Sequence, residues 1–196
     1  MRCAAASLLL TFGCMVGPQG DTDQWVDTSD TDDTDTDTGQ DIADIDPTTL
    51  PAGDEPCRDP VLVRVESVVD GDTVRVVRDG GGDETIRILG ADTPEIGYGG
   101  DPDECWAQQA RSFTNNSLYG ARVWLTFDEE CTDGYSRTLA YVHTGTAADD
   151  FFDWWLLRQG HARVMVIAPN STFRTEFLSA QASAEAEELG LWGACQ

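Results

Sequence analysis

Three short runs of alternating apolar and polar residues follow one another between residues 61 and 89. They are Val61-Leu-Val-Arg-Val65, Thr73-Val-Arg-Val-Val77 and Thr85-Ile-Arg-Ile-Leu89. Alternation with a period of two is typical of β-strands that bury one face. The run Gly80-Gly81-Gly82-Asp83 predicts a tight turn before the third strand. This part of the chain is therefore predicted to form a β-sheet rather than a helical bundle.

The rest of the C-terminal region mixes strands and helices. Gly160 and Gly190 follow two apolar periodic segments and predict helix ends there. Five strands with a few helices predict an α+β, mainly β fold on a small antiparallel barrel, of which the OB type is one candidate. The remaining predicted strands are Ala121–Phe127 and Thr138–His143, and the predicted helices are Trp106–Tyr119, Phe151–Gln159 and Phe173–Leu189.

An acidic segment precedes this region. Between Asp21 and Glu55 there are thirteen acidic residues and no Lys or Arg. Asp and Thr are poor helix formers, and their alternation here has no apolar periodicity with which to form a core. We therefore predict a disordered linker over residues 21–56 and a folded domain over 57–196. We interpret the linker as a self-repelling tether rather than a calcium store, because it lacks the Gly and terminal Glu of an EF-hand loop.

The net charge excludes one class of nucleic-acid-binding protein. The 196-residue chain has 36 acidic and 12 basic residues, all of the latter Arg, for a formal charge of −24. Residues 57–196 retain 23 acidic and 11 basic residues, or about −12. This charge argues against binding of nucleic acid or an anionic membrane through a general basic surface.

Residues 1–20 have the pattern of a secretory signal peptide. Arg2 precedes the uncharged run Cys3–Val16, which is shorter than the about 20 residues that span a bilayer. An ordinary apolar N-terminal helix is the alternative. Cleavage between Gly13 and Cys14 would leave Cys14 for lipidation and membrane attachment, as in bacterial lipoproteins, whereas a plain secreted form needs no lipid. We expect a secreted or cell-envelope-anchored, extracytoplasmic bacterial protein.

Four cysteines lie in the predicted domain: Cys57, Cys105, Cys131 and Cys195. An even number after a secretion signal predicts two disulfides, with three possible connectivities. None of the four has the paired short spacing of a zinc site. Because Cys57 and Cys195 lie at the two ends of the domain, our hypothesis pairs them and joins Cys105 to Cys131.

Three polar clusters follow one another along the domain. They are Asp70-Gly-Asp-Thr73, Arg87 with Asp92-Thr-Pro-Glu95, and Asp133-Gly-Tyr-Ser-Arg137. Each alone is typical of a turn or a helix start. Together and in this order they resemble the thermonuclease, or staphylococcal-nuclease-like, family. The resemblance extends from about Val61 to Trp192 and includes Arg158-Gln-Gly-His-Ala-Arg163 and Leu189-Gly-Leu-Trp192.

The resemblance implies a five-stranded OB-fold barrel with three α-helices and a calcium-dependent phosphodiesterase. Asp72 and Asp92 match the calcium carboxylates, and Thr93 matches a ligand through its backbone carbonyl. Asp70 matches a supporting carboxylate in the outer shell of the metal. Calcium is a hard cation that prefers carboxylates, carbonyls and waters, so these residue types suit it.

The resemblance also assigns the groups that act on the phosphate. Arg87 and Arg137 match the two guanidiniums that bind the phosphate, and Glu95 matches the carboxylate that activates or positions the attacking water. Forked Arg donors together with a cation can stabilise the charge that develops on the non-bridging oxygens. The family cuts DNA and RNA and leaves 5′-hydroxyl and 3′-phosphate ends.

Two positions depart from the family pattern. The Lys that commonly precedes the Tyr of the third cluster is replaced by Gly134, and the usual tyrosines are replaced around Met165–Ile167. We nevertheless expect an extracytoplasmic calcium-dependent nuclease that acts on DNA and/or RNA, with no protein partner. The alternative is a non-catalytic OB-fold binding module on a surface lipoprotein. The complete set of inferred site residues favours the enzyme.

Overall fold

The computed structural model describes residues 41–195. The predicted signal peptide over residues 1–20, the lipidation candidate Cys14 and residues 21–40 of the predicted linker lie outside the described residues. Within the described range, no helix is long and apolar enough to cross a membrane.

Within residues 41–195, seven strands form a closed five-stranded barrel and a separate two-stranded sheet. The order around the barrel is β1-β2-β3-β6-β5, and β4 pairs with β7. The strands are β1 Val61–Val68, β2 Thr73–Arg78, β3 Asp83–Ile88, β4 Gly90–Asp92, β5 Arg122–Thr126, β6 Thr138–His143 and β7 Arg163–Met165. All five barrel strands were predicted from the sequence, whereas β4 and β7, each of three residues, were not.

Alternation along the strands places apolar side chains inside the barrel. Val63 and Val65 are buried while Arg64 between them is exposed, and the same holds for Val74 and Val76 on either side of an exposed residue. Each inward pair removes apolar surface from water, which is the main driving force for closing the barrel. The mainly β fold with an OB-like barrel is thus confirmed.

The sequence predicted an antiparallel barrel, but the barrel in the structure is mixed. β3 pairs with β6 in parallel, with Arg87 opposite Leu139. The four other pairings are antiparallel. The parallel pairing arises because the chain passes through β4, a helix and β5 before it returns as β6, since parallel neighbours need a long crossover.

The three predicted helices are present, with a fourth short helix at the C-terminal end of the domain. They are α1 Ala107–Leu118, α2 Phe152–Arg158, α3 Arg174–Ala186 and α4 Leu191–Ala194. In α1 the buried positions are Ala107, Ala110, Thr114 and Leu118, whose spacing of three or four residues forms one helix face. Phe177 of α3 packs so closely on Gly90 that a β-carbon on Gly90 would overlap its ring.

Residues 41–56, here called the N-terminal strap, extend the ordered domain beyond its predicted start at residue 57. The Trp124 indole donates to the Ile42 carbonyl at 2.8 Å, and the Thr126 hydroxyl donates to the Pro51 carbonyl at 2.6 Å. Ile45 and Leu50 are each only 6% exposed. The composition of the strap is polar, but these two apolar side chains and the hydrogen bonds from β5 side chains to the strap carbonyls suffice to order it.

The disulfides join Cys57 to Cys131 and Cys105 to Cys195, with Cα–Cα distances of 5.7 and 5.8 Å. The hypothesis that paired Cys57 with Cys195 is therefore wrong. β1 and β5 are antiparallel neighbours, so the segment before β1, which contains Cys57, lies beside the segment after β5. The Cys57 N–H accordingly donates to the Asp128 carbonyl at 2.8 Å, which brings Cys57 next to Cys131.

Truncation of a buried strap residue tests whether the strap belongs to the fold. We expect Leu50→Ala to lower the free energy of unfolding by about 2 kcal/mol, because the leucine is buried and its loss leaves a cavity. Leu178→Ala, at a side chain that is 43% exposed, is the matched control and should change it by less than about 0.5 kcal/mol. Urea unfolding measures both values. Equal effects of the two substitutions would contradict the placement of the strap.

Candidate active site

The barrel topology brings the predicted site residues together. Arg87 is on β3, opposite Thr73 of the neighbouring strand β2 and Leu139 of the neighbouring strand β6. Asp72, just before Thr73, and Arg137, two residues before Leu139, therefore flank Arg87. The predicted site residues are Asp72 before β2, Arg87 in β3, Asp92 at the end of β4, Thr93 and Glu95 just after β4, and Arg137 before β6.

A buried ion pair forms the centre of the site. Arg87 Nη1 lies 2.7 Å from Asp72 Oδ1 in an ion pair, and Nη2 donates to Asp92 Oδ1 at 2.9 Å. Nη1 also donates to the Ala91 carbonyl at 2.8 Å. Arg87 is 7% exposed and Asp72 is 2% exposed. A planar guanidinium thus bridges the two carboxylates that were predicted to bind calcium.

Asp72 also fixes the segment that follows β4. Its Oδ2 accepts from the Thr93 N–H at 2.7 Å and from the Thr93 hydroxyl at 3.0 Å. Its Oδ1 accepts from the Thr73 hydroxyl at 3.1 Å. Hydrogen bonds to a charged acceptor are worth about 1.5–3 kcal/mol each, so this carboxylate orders both segments. The backbone of Thr93 is consequently held beside Asp72 and Arg87.

The other carboxylates are crowded around this pair. Burial, followed by the charge of Asp72, raises the pKa of Asp70 to about 6. Burial likewise raises the pKa of Asp92 above its usual value, against the opposing effect of Arg87. Partial desolvation, followed by the charges of Asp72 and Asp92, raises the pKa of Glu95. Desolvation is the largest cause of all three shifts, and the charge of neighbouring carboxylates adds to it.

This donor set suits a hard cation. The carboxylates of Asp72 and Asp92 converge on a single positive group, the Arg87 guanidinium. Within residues 41–195 no group of three or more His, Cys, Asp or Glu side chains could hold a metal ion. Calcium here would use two carboxylates and the Thr93 carbonyl and complete its shell with water, which is compatible with its preference for six to eight oxygens.

The second predicted arginine is oriented by a tight loop. Asp133 Oδ2 accepts from Arg137 Nε at 2.7 Å, and Oδ1 accepts from the backbone N–H groups of Tyr135 and Arg137, both at 2.9 Å. Partial burial acts to raise the pKa of Asp133, but these donors together outweigh it and lower the pKa. Ser136 has a φ of 64°, a left-handed conformation that this closed loop imposes on a non-glycine residue.

A cavity of about 410 Å³ joins the two arginines, and both Arg87 and Arg137 line it. Its other walls are largely apolar and include Leu89, Leu139 and Ile167. Clefts with apolar walls and a few charged groups are typical of small-molecule binding sites. The two guanidiniums make this cavity suited to an anionic ligand.

Glu95 lies on an exposed loop between β4 and α1. Its N–H donates to Glu104 Oε2 at 3.1 Å, and its carbonyl accepts from the Glu104 N–H at 3.0 Å. Further along the same loop, the Gly97 N–H donates to Asp103 Oδ1 at 2.8 Å. These bonds close the loop on itself and fix the backbone from which the Glu95 side chain projects.

Comparison with known proteins places this chain in a family. The family model described as "Staphylococcal nuclease homologue" matches residues 85–194. The chain is 38% identical over 128 residues to a thermonuclease of Staphylococcus intermedius, covering 65% of this chain and 74% of that one. It is 33% identical over 129 residues to the thermonuclease of Staphylococcus hyicus, covering 66% and 74%. It is 31% identical over 138 residues to the endonuclease YncB of Bacillus subtilis, covering 67% and 62%.

The chain belongs to the staphylococcal nuclease homologue family. It is a nuclease, as the thermonuclease and endonuclease relatives support. The family match confirms the resemblance on which the sequence interpretation was based. The individual roles of the site residues remain predictions from that resemblance.

Three contributors to the site were not assigned from the sequence. Asp133 was part of the third cluster but had no role, although its position four residues before Arg137 is compatible with a loop-closing contact. Glu104 gave no signal, because its contact with Glu95 depends on how the loop folds back. The Ala91 carbonyl is a backbone acceptor, which side-chain identity does not reveal.

Loss of the charge on Asp133 should impair the nuclease through Arg137. We expect Asp133→Asn to lower kcat/KM about tenfold, because the charge-assisted bond to Arg137 Nε is lost. Asp79→Asn is the matched control, since Asp79 forms an exposed pair with Arg122 outside the site. Cleavage of denatured DNA measures both. If the two variants were equally active, the assignment of Asp133 as the residue that orients Arg137 would not hold.

Proposed function

We propose that this nuclease acts outside the cytoplasm, depends on calcium, and hydrolyses phosphodiester bonds of DNA, RNA or both to give 5′-hydroxyl and 3′-phosphate ends. The observation that carries the proposal is the position of Arg87. Its guanidinium contacts Asp72 and Asp92, and it lines the same cavity as Arg137. A phosphate in this cavity would lie beside two arginines and the carboxylate cluster.

Asp72, Asp92 and the Thr93 carbonyl would hold the calcium ion, with Asp70 as a supporting carboxylate. Bound calcium supplies positive charge next to the phosphate, where charge increases in the transition state. The chain itself supplies the anionic oxygens that such a cation requires.

Arg87 and Arg137 bind the scissile phosphate. Each guanidinium has five fixed N–H donors, and no residue other than Arg in this chain is a strong cation at neutral pH. The two approach the cavity from β3 and from the loop before β6, so they can donate to different non-bridging oxygens. Preorganised donors of this kind stabilise the transition state because they need no reorientation during the reaction.

Glu95 orients the attacking water and accepts its proton. Its carboxylate is exposed, so water reaches it, while the bonds to Glu104 hold its backbone in place. The water oxygen bonds to phosphorus, the bond from phosphorus to the 5′ oxygen breaks, and the leaving oxygen takes a proton from solvent water. The phosphate then remains on the 3′ side, as the proposed products require.

Two features support an extracytoplasmic location. The sequence of residues 1–20 is typical of a secretion signal, with Cys14 as a candidate for lipid attachment. The domain contains the disulfides Cys57–Cys131 and Cys105–Cys195, and such bonds persist in oxidising compartments.

A cleavage assay on the intact, disulfide-bonded protein tests the proposal. We expect denatured DNA or RNA to be cut with calcium and left intact with a chelator. Arg87→Ala and Arg137→Ala should each lower kcat by about 100-fold or more, because each removes a preorganised donor. Glu95→Gln should also abolish most turnover, whereas Arg75→Ala, at an exposed position on β2, should leave it unchanged.

The outcome also separates the enzyme from a binding module. Binding of nucleic acid without calcium-dependent cleavage would contradict the proposal and favour the non-catalytic alternative. Full activity of the Arg87 or Arg137 variant would contradict the assignment of the phosphate site. Analysis of the product ends decides the bond that breaks, since 5′-phosphate products are incompatible with the proposed step.

A further inference from the structure

The cavity that contains the two arginines also contains an acid with no assigned role. Glu130 lines it together with Arg87, Arg137 and the apolar wall. The other acid that lines this cavity, Asp133, already accepts three hydrogen bonds from its own loop. Among the described residues, the Glu130 carboxylate has no hydrogen-bond or ion-pair partner.

The backbone of Glu130 is held firmly even though its side chain is unpaired. Its N–H donates to Asn170 Oδ1 at 2.7 Å, and its carbonyl accepts from Asn170 Nδ2 at 2.9 Å. Asn170 is buried, at 6% exposure, so this amide is a fixed anchor. A carboxylate on a fixed backbone position can act as a directional acceptor for a ligand.

The remaining surface of the cavity suits a flat aromatic ligand. Tyr135 lines it with a side chain that is 86% exposed, and Met165 and Ile167 present apolar surface. Exposed aromatic rings in nucleic-acid sites stack on bases, and stacking does not distinguish strongly between bases. Base selectivity in this cavity must therefore come from a polar group at the edge of the base.

We propose that Glu130 makes this nuclease selective for guanine at the nucleotide bound in the cavity. The inference rests on the proposed function, since it assumes a phosphate at Arg87 and Arg137. Guanine presents two adjacent donors, N1–H and the N2 amino group, which match the two oxygens of a carboxylate.

The other bases match a carboxylate less well. Adenine and cytosine each present one amino group beside a ring-nitrogen acceptor. Thymine and uracil present one N–H between two carbonyl oxygens, which the carboxylate repels. The acceptor-only character of an ionised Glu therefore favours guanine over all four. A good bidentate base contact changes affinity by roughly tenfold or more.

Cleavage of matched single-stranded oligonucleotides tests this specificity. Each substrate carries a single G, A, C or T flanked by abasic positions in an otherwise constant sequence. The wild-type enzyme should cut next to G with a kcat/KM about tenfold higher than next to A, C or T. Glu130→Gln should lose most of this preference through a higher KM for the G substrate, with kcat little changed. Glu129→Gln is the matched control, because Glu129 is exposed, adjacent in sequence and outside the cavity.

A binding measurement separates failure of this inference from failure of the proposed function. In calorimetric titrations with calcium, 2′-deoxyguanosine 3′,5′-bisphosphate should bind the wild type about tenfold more tightly than thymidine 3′,5′-bisphosphate, and Glu130→Gln should abolish the difference. Equal preferences in wild type and Glu130→Gln, or no preference in the wild type, would overturn the role of Glu130 while leaving the nuclease proposal intact. Failure of the wild type to cut any oligonucleotide would count against the proposed function, and the titration would still decide the base preference.

Discussion

The buried contact between Arg87 and Asp72 is the interaction on which the rest of the site depends. A guanidinium that is 7% exposed would be strongly destabilising without partners. Asp72, Asp92 and the Ala91 carbonyl satisfy it, and in doing so they fix β2, β3 and β4 relative to one another. Because Asp72 also holds Thr93, removal of either charge would disturb the segment that leads to Glu95.

The distribution of arginines explains how an acidic domain can act on a polyanion. Outside the site, several arginines are neutralised by structural pairs, as in Arg158 with Glu187 and Arg122 with Asp79. Arg58 and Arg78 both pair with Glu84. Arg87 and Arg137 are also ion-paired, with Asp72 and Asp92 and with Asp133, but both of them line one cavity. In the proposed function, substrate binding is therefore local and needs no broad basic surface, which agrees with the charge of the chain.

Much of this architecture could be predicted because it is encoded in local patterns. The strands follow from alternation, and the site follows from three clusters in a recognisable order. The disulfide pairing could not be predicted from position in the chain, because it depends on β1 lying beside β5. The N-terminal strap was missed for a related reason: its polar composition hides two buried side chains, Ile45 and Leu50, and backbone contacts that only the tertiary structure provides.

The polar contacts that complete the site were also outside the reach of sequence reasoning. Glu104 meets Glu95 through a loop that closes across nine residues. Glu130 and Asn170 are forty residues apart in sequence, and their contact depends on the tertiary structure. Residue type alone gives no signal for such contacts, since exposed acids are common throughout this chain.

A crystal structure of the disulfide-bonded protein with calcium and a nucleoside 3′,5′-bisphosphate tests the central claim most directly, with anomalous scattering used to locate the metal. The account predicts one calcium ion on the carboxylates of Asp72 and Asp92 and the Thr93 carbonyl, with a phosphate bound by Arg87 and Arg137. A calcium ion bound elsewhere, or a phosphate that contacts neither arginine, would contradict it.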